Sequence, residues 1–378
     1  MDQVRIRHRA SASFQALDNE PMTRTYGLRQ RLGAVLLDVP GYLWNMCRVQ
    51  RSRTHLTWIY IRNRNEGLIT SRQGCGVKCD WRWTSELHLA NVFPMFGKWL
   101  CKRTLKDFPT ILSETPHGND SQGKAEVCFA IGHRGNDRLP LLLQTLKSIA
   151  GQRSCAVECV VVEQDSEQRI REHLPEWVRY IHTPPPNAEM PYSRAWAFNV
   201  AARAAQSECL IFHDGDMLVC KDYAKFVLEY HQRGFAFINL KRFIFYLSKA
   251  HSRRLEMSGQ LHCDSAPEVV LQNSESGGSF GANKSAFWEI GGFDERFVGW
   301  GGEDNELWER AQTQRVYPFG YLPMIHLWHA PQDEKYMEVD DSAKVLFRKL
   351  TKVPASERIQ KLRRIRVGEL DGPKADWQ

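Results

Sequence analysis

From residue 126 onward, short runs of β-branched and apolar residues alternate with longer segments whose apolar positions recur at helical spacing. Val127–Ile131 reads as a strand, Leu139–Ile149 as a helix, and Val157–Val162 as a second strand of mostly β-branched residues. After the break at Pro184-Pro185-Pro186 come a helix over Ala195–Ala205 and an apolar strand, Cys209–His213. Strands that alternate with helices imply parallel pairing through crossover connections. In an open sheet of that kind, ligands collect beyond the carboxyl ends of the strands. There the run Cys209–His213 ends on two carboxylates one residue apart, Asp214-Gly215-Asp216.

The texture ahead of this region differs. Strand alternation is weak over residues 1–112, and basic residues interleave with aromatic ones (Trp81, Trp83, Phe93, Phe96, Trp99). Phe96–Lys106 has the spacing of a short amphipathic helix. Aromatics at helical spacing favour packing against a neighbouring domain; contact with a membrane surface or an acceptor is the other reading. A polar stretch over 113–124, with Pro116, Gly118 and Gly123, reads as a linker. The expected organisation is a mainly helical N-terminal extension (1–112), the linker, an α/β domain (125–335) and a basic helical C-terminal tail (336–378). Within that tail, Arg358–Arg366 reads as a solvated face.

Composition narrows this only a little. Of 378 residues, 42% are hydrophobic, enough for a core and too many for a disordered chain. The formal charge of +7 is mild; it permits contact with anionic lipid or substrate, and no nucleic-acid partner is expected. No stretch reaches the ~18 consecutive apolar residues of a membrane span, and the best candidate, Leu32–Met46, is interrupted by Asp38 and Pro40. Arg5, Arg7 and Arg9 are not followed by a compact apolar region with a cleavage site. The expectation is a cytoplasmic protein, with peripheral contact at the inner face of the membrane open to it. Ten cysteines give no disulfide-scaffold density in this length, and Cys128, Cys159 and Cys209 fall inside apolar strands, as reduced buried thiols do. Cys75 and Cys79 have no second pair at zinc-ligand spacing.

Three clusters carry candidate chemistry. Asp214 and Asp216 offer hard oxygen ligands suited to magnesium or manganese. An acidic turn before the next helix, near Lys221, would look the same. A phosphatase triplet is disfavoured by Leu218 and by the strands that come first. The second cluster lies in the run from Gly291 to Arg310, where Gly301 and Gly302 allow a tight turn. Glu303 and Asp304 then open a helix with Leu307 and Ala311 on its buried face. The partial positive charge of a helix N-terminus stabilises a carboxylate, so Asp304 is expected to be an ionised base at neutral pH. A plain helix cap would explain the acids but not Trp300. The third cluster is His326-Leu327-Trp328-His329. Imidazoles three apart on a straight strand face opposite ways, so one ligand, His329, is expected unless the chain bends.

With these elements in order, the region from Glu126 to Pro331 resembles nucleotide-sugar glycosyltransferases of the GT-A fold, a Rossmann-like, mostly parallel sheet flanked by helices. The pattern is most similar to the beta-1,4-galactosyltransferases and related bacterial chondroitin-type enzymes, and Gly299–Asp304 is its most specific part. The resemblance implies Asp216 as a metal ligand with Asp214 beside it, and His329 and His326 as further ligands; animal members have methionine where this chain has His326. It implies Asp304 as catalytic base, Glu303 in the acceptor region, and Trp300 with Gly302 on a loop that closes over the donor. Arg134 and Arg194 fall at nucleotide-binding positions, Asp165 on the uridine side, and Gly277 and Gly278 along the donor sugar. The implied cofactor is Mn2+ or Mg2+, the donor a UDP-sugar, and the acceptor a glycan or lipid-linked sugar. The reaction would move a hexose or N-acetylhexosamine with inversion. A retaining route is the alternative: polypeptide N-acetylgalactosaminyltransferases share the Trp-Gly-Gly-Glu run and a glutamate at the place of Glu306, but have asparagine at that of Asp304. A catalytically silent glycan- or membrane-binding partner would predict a broken triplet or a lost base, and neither is seen. Glu275, two residues before the glycine pair, matches no donor pattern and leaves galactose, N-acetylgalactosamine and N-acetylglucosamine open.

Overall fold

The computed structural model describes residues 25–49, 55–64, 66–80, 86–117, 124–272, 277–330 and 342–371. Arg5, Arg7, Arg9, Trp81, Trp83, Gly118, Gly123, Glu275 and Pro331 of the sequence reading lie outside the described residues.

The alternating pattern folds as read. Val127–His133 pairs in parallel with Val157–Glu163 on one side and with Cys209–His213 on the other, and Val178–His182 extends the parallel set. These strands are apolar throughout because both faces are covered. Phe129, Ile131 and Val161 point to one side, where Leu142, Leu146 and Ile149 of the helix Leu139–Ala150 pack. Ala130, Val160 and Val162 point to the other, against Ala197, Phe198 and Ala201 of the helix Arg194–Ala204. The period of two along each strand thus divides its side chains between two cores. Beyond Cys209–His213 the sheet turns antiparallel at Ser279–Asn283 and ends on two-residue strands, Phe237–Ile238 and Val316–Tyr317. Such short strands leave too little pattern to read in sequence.

A smaller sheet runs in the order Val269–Gln272, Lys241–Tyr246, Leu322–His326, Met217–Val219. Asp214-Gly215-Asp216 is therefore the turn by which the chain leaves the large sheet and enters the edge of the small one. Antiparallel pairing of Met217 with His326 brings the end of Leu322–His326 alongside Asp216.

The N-terminal part is mainly helical, apart from the hairpin Gly67–Thr70 with Val77–Asp80. Trp58, Ile59, Tyr60 and Ile61 share one hydrophobic cluster with the sheets. The buried Arg242 fastens this segment by donating to the carbonyls of Ile59, at 2.7 Å, and Ile61. Asp38 and Pro40 interrupt the apolar run but not the helical one: Leu28–Gly33, the wider π-turn Ala34–Asp38 and Val39–Val49 follow one another. The π-turn relaxes the hydrogen-bond ladder where Pro40 has no N–H to give. Asp38 buries its carboxylate against Arg64 Nε at 3.0 Å. The helix Pro94–Asp107 buries Gly97, Leu100, Cys101 and Thr104, while of the aromatics on it Phe96 is half-buried and Trp99 exposed.

The C-terminal segment corrects the expectation of a solvated tail. Arg358, on the helix Ala355–Leu362, is buried and pairs with Glu306 and Glu309 at 2.9 and 2.8 Å. Further on, the Gly368 N–H donates to Glu295, and Trp196 Nε1 donates to the Glu369 carbonyl at 2.7 Å. A charge run is a solvated face only if the rest of the fold leaves its acids elsewhere, and here they line the groove that receives it.

Candidate active site

The turn Asp214–Asp216 is held from below by His213. Its ring is fully buried, its Nε2 lies 3.0 Å from the Met217 carbonyl, and burial lowers it to about 4, which keeps it neutral. That bond bridges the turn and aims the two carboxylates in different directions. Asp216 points toward the small sheet, where His326 Nε2 lies 3.7 Å from its Oδ1 and His329 Nε2 3.3 Å from its Oδ2. One ligand atom from each of the three lies within 4.8 Å of the others. The chain leaves the strand at His326, and this bend brings both imidazoles to one point where a straight strand would separate them. Leu327 N–H, donating to the Asp216 carbonyl at 2.8 Å, secures the bend.

This group has the chemistry of a cation site. Asp216 Oδ1 is buried and has no hydrogen-bond partner among the described residues, an arrangement that is costly without a compensating charge. Burial pushes the Asp216 carboxyl up, but His326, His329 and Arg138 outweigh it and hold the group well below the usual carboxylate range. Burial likewise lowers His326, against the opposing pull of Asp216, which favours its neutral form. Tyr246 stacks on the His326 ring at 4.1 Å and fixes its plane. His329 Nδ1 lies 2.8 Å from the Ala330 carbonyl. Arg138 also reaches in, with Nη2 at 3.0 Å from His329 Nδ1 and Nη1 at 3.5 Å from Asp216 Oδ2.

Asp214 stands apart from this set, contrary to its expected place among the metal ligands. Its Oδ1 accepts from Arg194 Nη2 at 2.5 Å. Arg194, expected beside the nucleotide, instead gives its guanidinium to three carboxylates: Asp214, Glu303 at 3.0 Å, and Asp304. Glu303 and Asp304 open the helix Glu303–Ala311 as read, after Gly301 and Gly302 at φ of +99° and +92°. The helix-terminus argument, however, gives the wrong sign for Asp304. Burial pushes its carboxyl up to about 7; Glu303 and Asp214 add to that, while Arg194 opposes. A helix terminus contributes fractions of a kcal/mol to about 2, and desolvation of a carboxylate among other carboxylates exceeds it.

The glycine pair lies between the two halves. Asp214 N–H donates to the Gly278 carbonyl at 2.9 Å. A Cβ on Gly277 would stand 3.3 Å from Asp304 Oδ2, and one on Gly278 would stand 3.1 Å from Met217 Cε at a φ of +83°. Arg134 and Asp165 sit at the carboxyl ends of the central strands, Arg134 donating to the Met190 carbonyl at 2.7 Å and Asp165 accepting from Arg169 at 3.1 Å. Burial pushes Asp165 up, but the Ser166 N–H and Arg169 hold it below its ordinary value. Trp300 is half exposed on a loop whose glycines on either side have positive φ, with Lys344 Nζ 5.8 Å from its ring. Arg138, His213 and Tyr246 were not anticipated. Arg138, four residues after Arg134, carried the only sequence signal.

Against this geometry, the profile of the glycosyltransferase like family 2 matches residues 131–324, a little over half of the chain. The chain belongs to that family, and its sheet with flanking helices is the GT-A type of fold that the resemblance implied. Beta-1,4-galactosyltransferase 5 of Sus scrofa is 30% identical over 200 residues, covering 52% of this chain and 40% of the relative. Beta-1,4-galactosyltransferase 6 of Homo sapiens is 30% identical over 125 residues, covering 32% of this chain and 26% of its own. The chain thus spans two fifths or less of the curated relatives it matches. A solved structure of GalNAc-T7 with UDP, GalNAc and Mn2+ aligns with a TM-score of 0.42 at 16% identity, covering 62% of this chain and 50% of that one.

Proposed function

We propose that this chain transfers a hexose or N-acetylhexosamine from a UDP-sugar to a hydroxyl of a glycan or lipid-linked sugar, with inversion. One observation carries the reading: Asp216, His326 and His329 converge, and Arg194 ties Asp214 of the same turn to Glu303 and Asp304. A cation pocket and a proton acceptor thus flank one space floored by Gly277 and Gly278. Asp216, His326 and His329 would hold a divalent cation. Two imidazoles with one carboxylate suit Mn2+ better than Mg2+, which prefers an all-oxygen shell. Held there, the cation supplies positive charge to a diphosphate leaving group.

The remaining work falls to the chain's own residues. Asp304 takes the proton of the acceptor hydroxyl as that oxygen attacks the anomeric carbon from the face opposite the leaving group. Arg194 keeps Asp304 aimed and moves its ion-pairing toward Glu303 and Asp214 when Asp304 is protonated. Arg138, beside Asp216 and His329, and Arg134, at the carboxyl end of Val127–His133, are the cationic groups this reading assigns to the phosphates of the donor, and Trp300 is the residue it assigns to cover the donor from the loop side. Glu306, the extra feature shared with retaining enzymes, is fully buried in ion pairs with Arg310 and Arg358. It is therefore structural, which supports inversion.

The test is UDP release from UDP-galactose, UDP-N-acetylgalactosamine and UDP-N-acetylglucosamine, with Mn2+ and with chelator. Release that needs Mn2+, together with loss of Mn2+ binding by electron paramagnetic resonance in Asp216→Asn, supports the reading. Undiminished release in chelator sinks the metal assignment, and product NMR showing retained anomeric configuration sinks inversion.

A further inference from the structure

The helical run Leu28–Val49 is built the wrong way round for a helix that faces water. Its inner side is anchored to the body: Ala34 packs with Leu89 and Val92, Tyr42 and Met46 lie against the main core, and Asp38 is sealed by Arg64. Its outer side is apolar. Leu28, Leu32, Val35 and Leu36 recur at i, i+4, i+7 and i+8, one helical face, and Leu28 and Leu36 are 73% and 67% exposed. Leu43 and Trp44 continue the exposed surface toward the end of the run. On the helix Pro94–Asp107, Phe96 packs against the cluster of Ala34, Leu89 and Val92, and Trp99, itself exposed, lies against Phe96 at 5.4 Å. Contiguous exposed apolar surface of this kind marks an interaction site.

Charge identifies the occupant. The exposed charges on these two helices are Arg29, Arg31, Lys102, Arg103 and Lys106, all cationic. Their described acids are engaged: Asp38 by Arg64, and Asp107 by Trp58 Nε1 and Arg103. No helix among the described residues is long and apolar enough to cross a membrane. An apolar face with tryptophans, bordered by arginine and lysine, matches the boundary between headgroups and acyl chains of an anionic bilayer. We infer that this face docks the protein on a membrane carrying anionic lipid, with Leu28, Leu32, Leu36, Leu43, Trp44 and Trp99 inserted.

The inference is independent of the transfer reaction. Its test is co-sedimentation of the full chain with phosphatidylcholine vesicles, with and without phosphatidylglycerol. The wild type should pellet with the anionic vesicles and be released as salt rises. The double variant Leu32→Glu/Leu36→Glu should lose about tenfold or more in binding while keeping its melting temperature, since both positions are exposed. The inference is overturned if the wild type stays in the supernatant, if the double variant binds equally, or if neutral vesicles bind as well as anionic ones. It is also overturned if sedimentation velocity shows a dimer that the double variant converts to monomer, because the face would then join two copies.

Discussion

Asp304 shows how far a residue's chemistry depends on its neighbours. With Arg194 on one side and Glu303 and Asp214 sharing that same guanidinium, the cluster holds more negative than positive charge, and burial leaves Asp304 near 7. A general base must be ionised to accept a proton. Turnover is therefore expected to rise with pH through about 7, in contrast to the flat profile an ordinary exposed aspartate would give. Asp304→Asn should lower kcat by about a hundred- to ten-thousand-fold without abolishing Mn2+ binding, since Asp304 is not among the three ligands. A correctly folded variant with wild-type turnover would falsify the assignment. The identities of Asp216, Asp304 and His329 were legible in the sequence because the motif spells them. His213 was not, because nothing local distinguishes it from any core histidine, and Arg138 was marked only by standing four residues after Arg134.

Among elements, the helix Glu303–Ala311 carries the acids at its start and locks the C-terminal segment with its middle. Arg310 donates to Glu306 at 2.6 Å and to the Gly292 carbonyl at 2.8 Å, and Arg358 closes on the same carboxylate. Removing one member of a buried ionic network leaves the others unpaired. Glu306→Ala is expected to cost about 3–5 kcal/mol by that argument, measured by denaturant unfolding. Replacement of the exposed Glu357, paired only with Lys361 at the surface, should cost no more than about 1 kcal/mol. Equal losses would mean that the C-terminal helix is held by its apolar contacts alone. The helices themselves were legible from their periodicity. The partner of Arg358 was not, because it is contributed some fifty residues earlier in the chain.

At the scale of the molecule, burial raises several carboxyls toward neutrality. Burial pushes Glu66 and Glu295 up to about 7, and Asp304 joins them. A group whose folded pKa exceeds its unfolded value stabilises the fold fully below the unfolded value and loses that contribution as pH rises through the folded one. Asp165 and Asp216 are lowered by their partners and act in the opposite sense, losing their contribution as pH falls into the acid range. Without added metal, the raised carboxyls lower the melting temperature as pH rises from about 5 to 7, while His213 and His326, lowered by burial, raise it over the same range. Glu295→Gln should therefore make the melting temperature climb more, or fall less, than the wild type between about pH 5 and 7, because the amide does not ionise. Parallel wild-type and variant profiles would contradict this account.

The sequence by itself determined the strands Val127–Ile131, Val157–Val162 and Cys209–His213 with the helices between them, though not the strand Val178–His182, and it singled out Asp216, Asp304, His326 and His329 as candidates. Both depend on neighbours a few positions away: β-branched runs, a period of two or of 3.6, and glycines where the backbone must turn. Only the tertiary structure decided that His326 and His329 meet at Asp216, that Arg194 belongs to the carboxylates, and that Asp304 titrates near neutrality. It alone left the apolar side of Leu28–Val49 facing outward. These outcomes rest on burial and charge contributed by distant segments, as when Arg138 reaches His329 across 191 residues. No local pattern encodes the dielectric or the partner that such a contact provides.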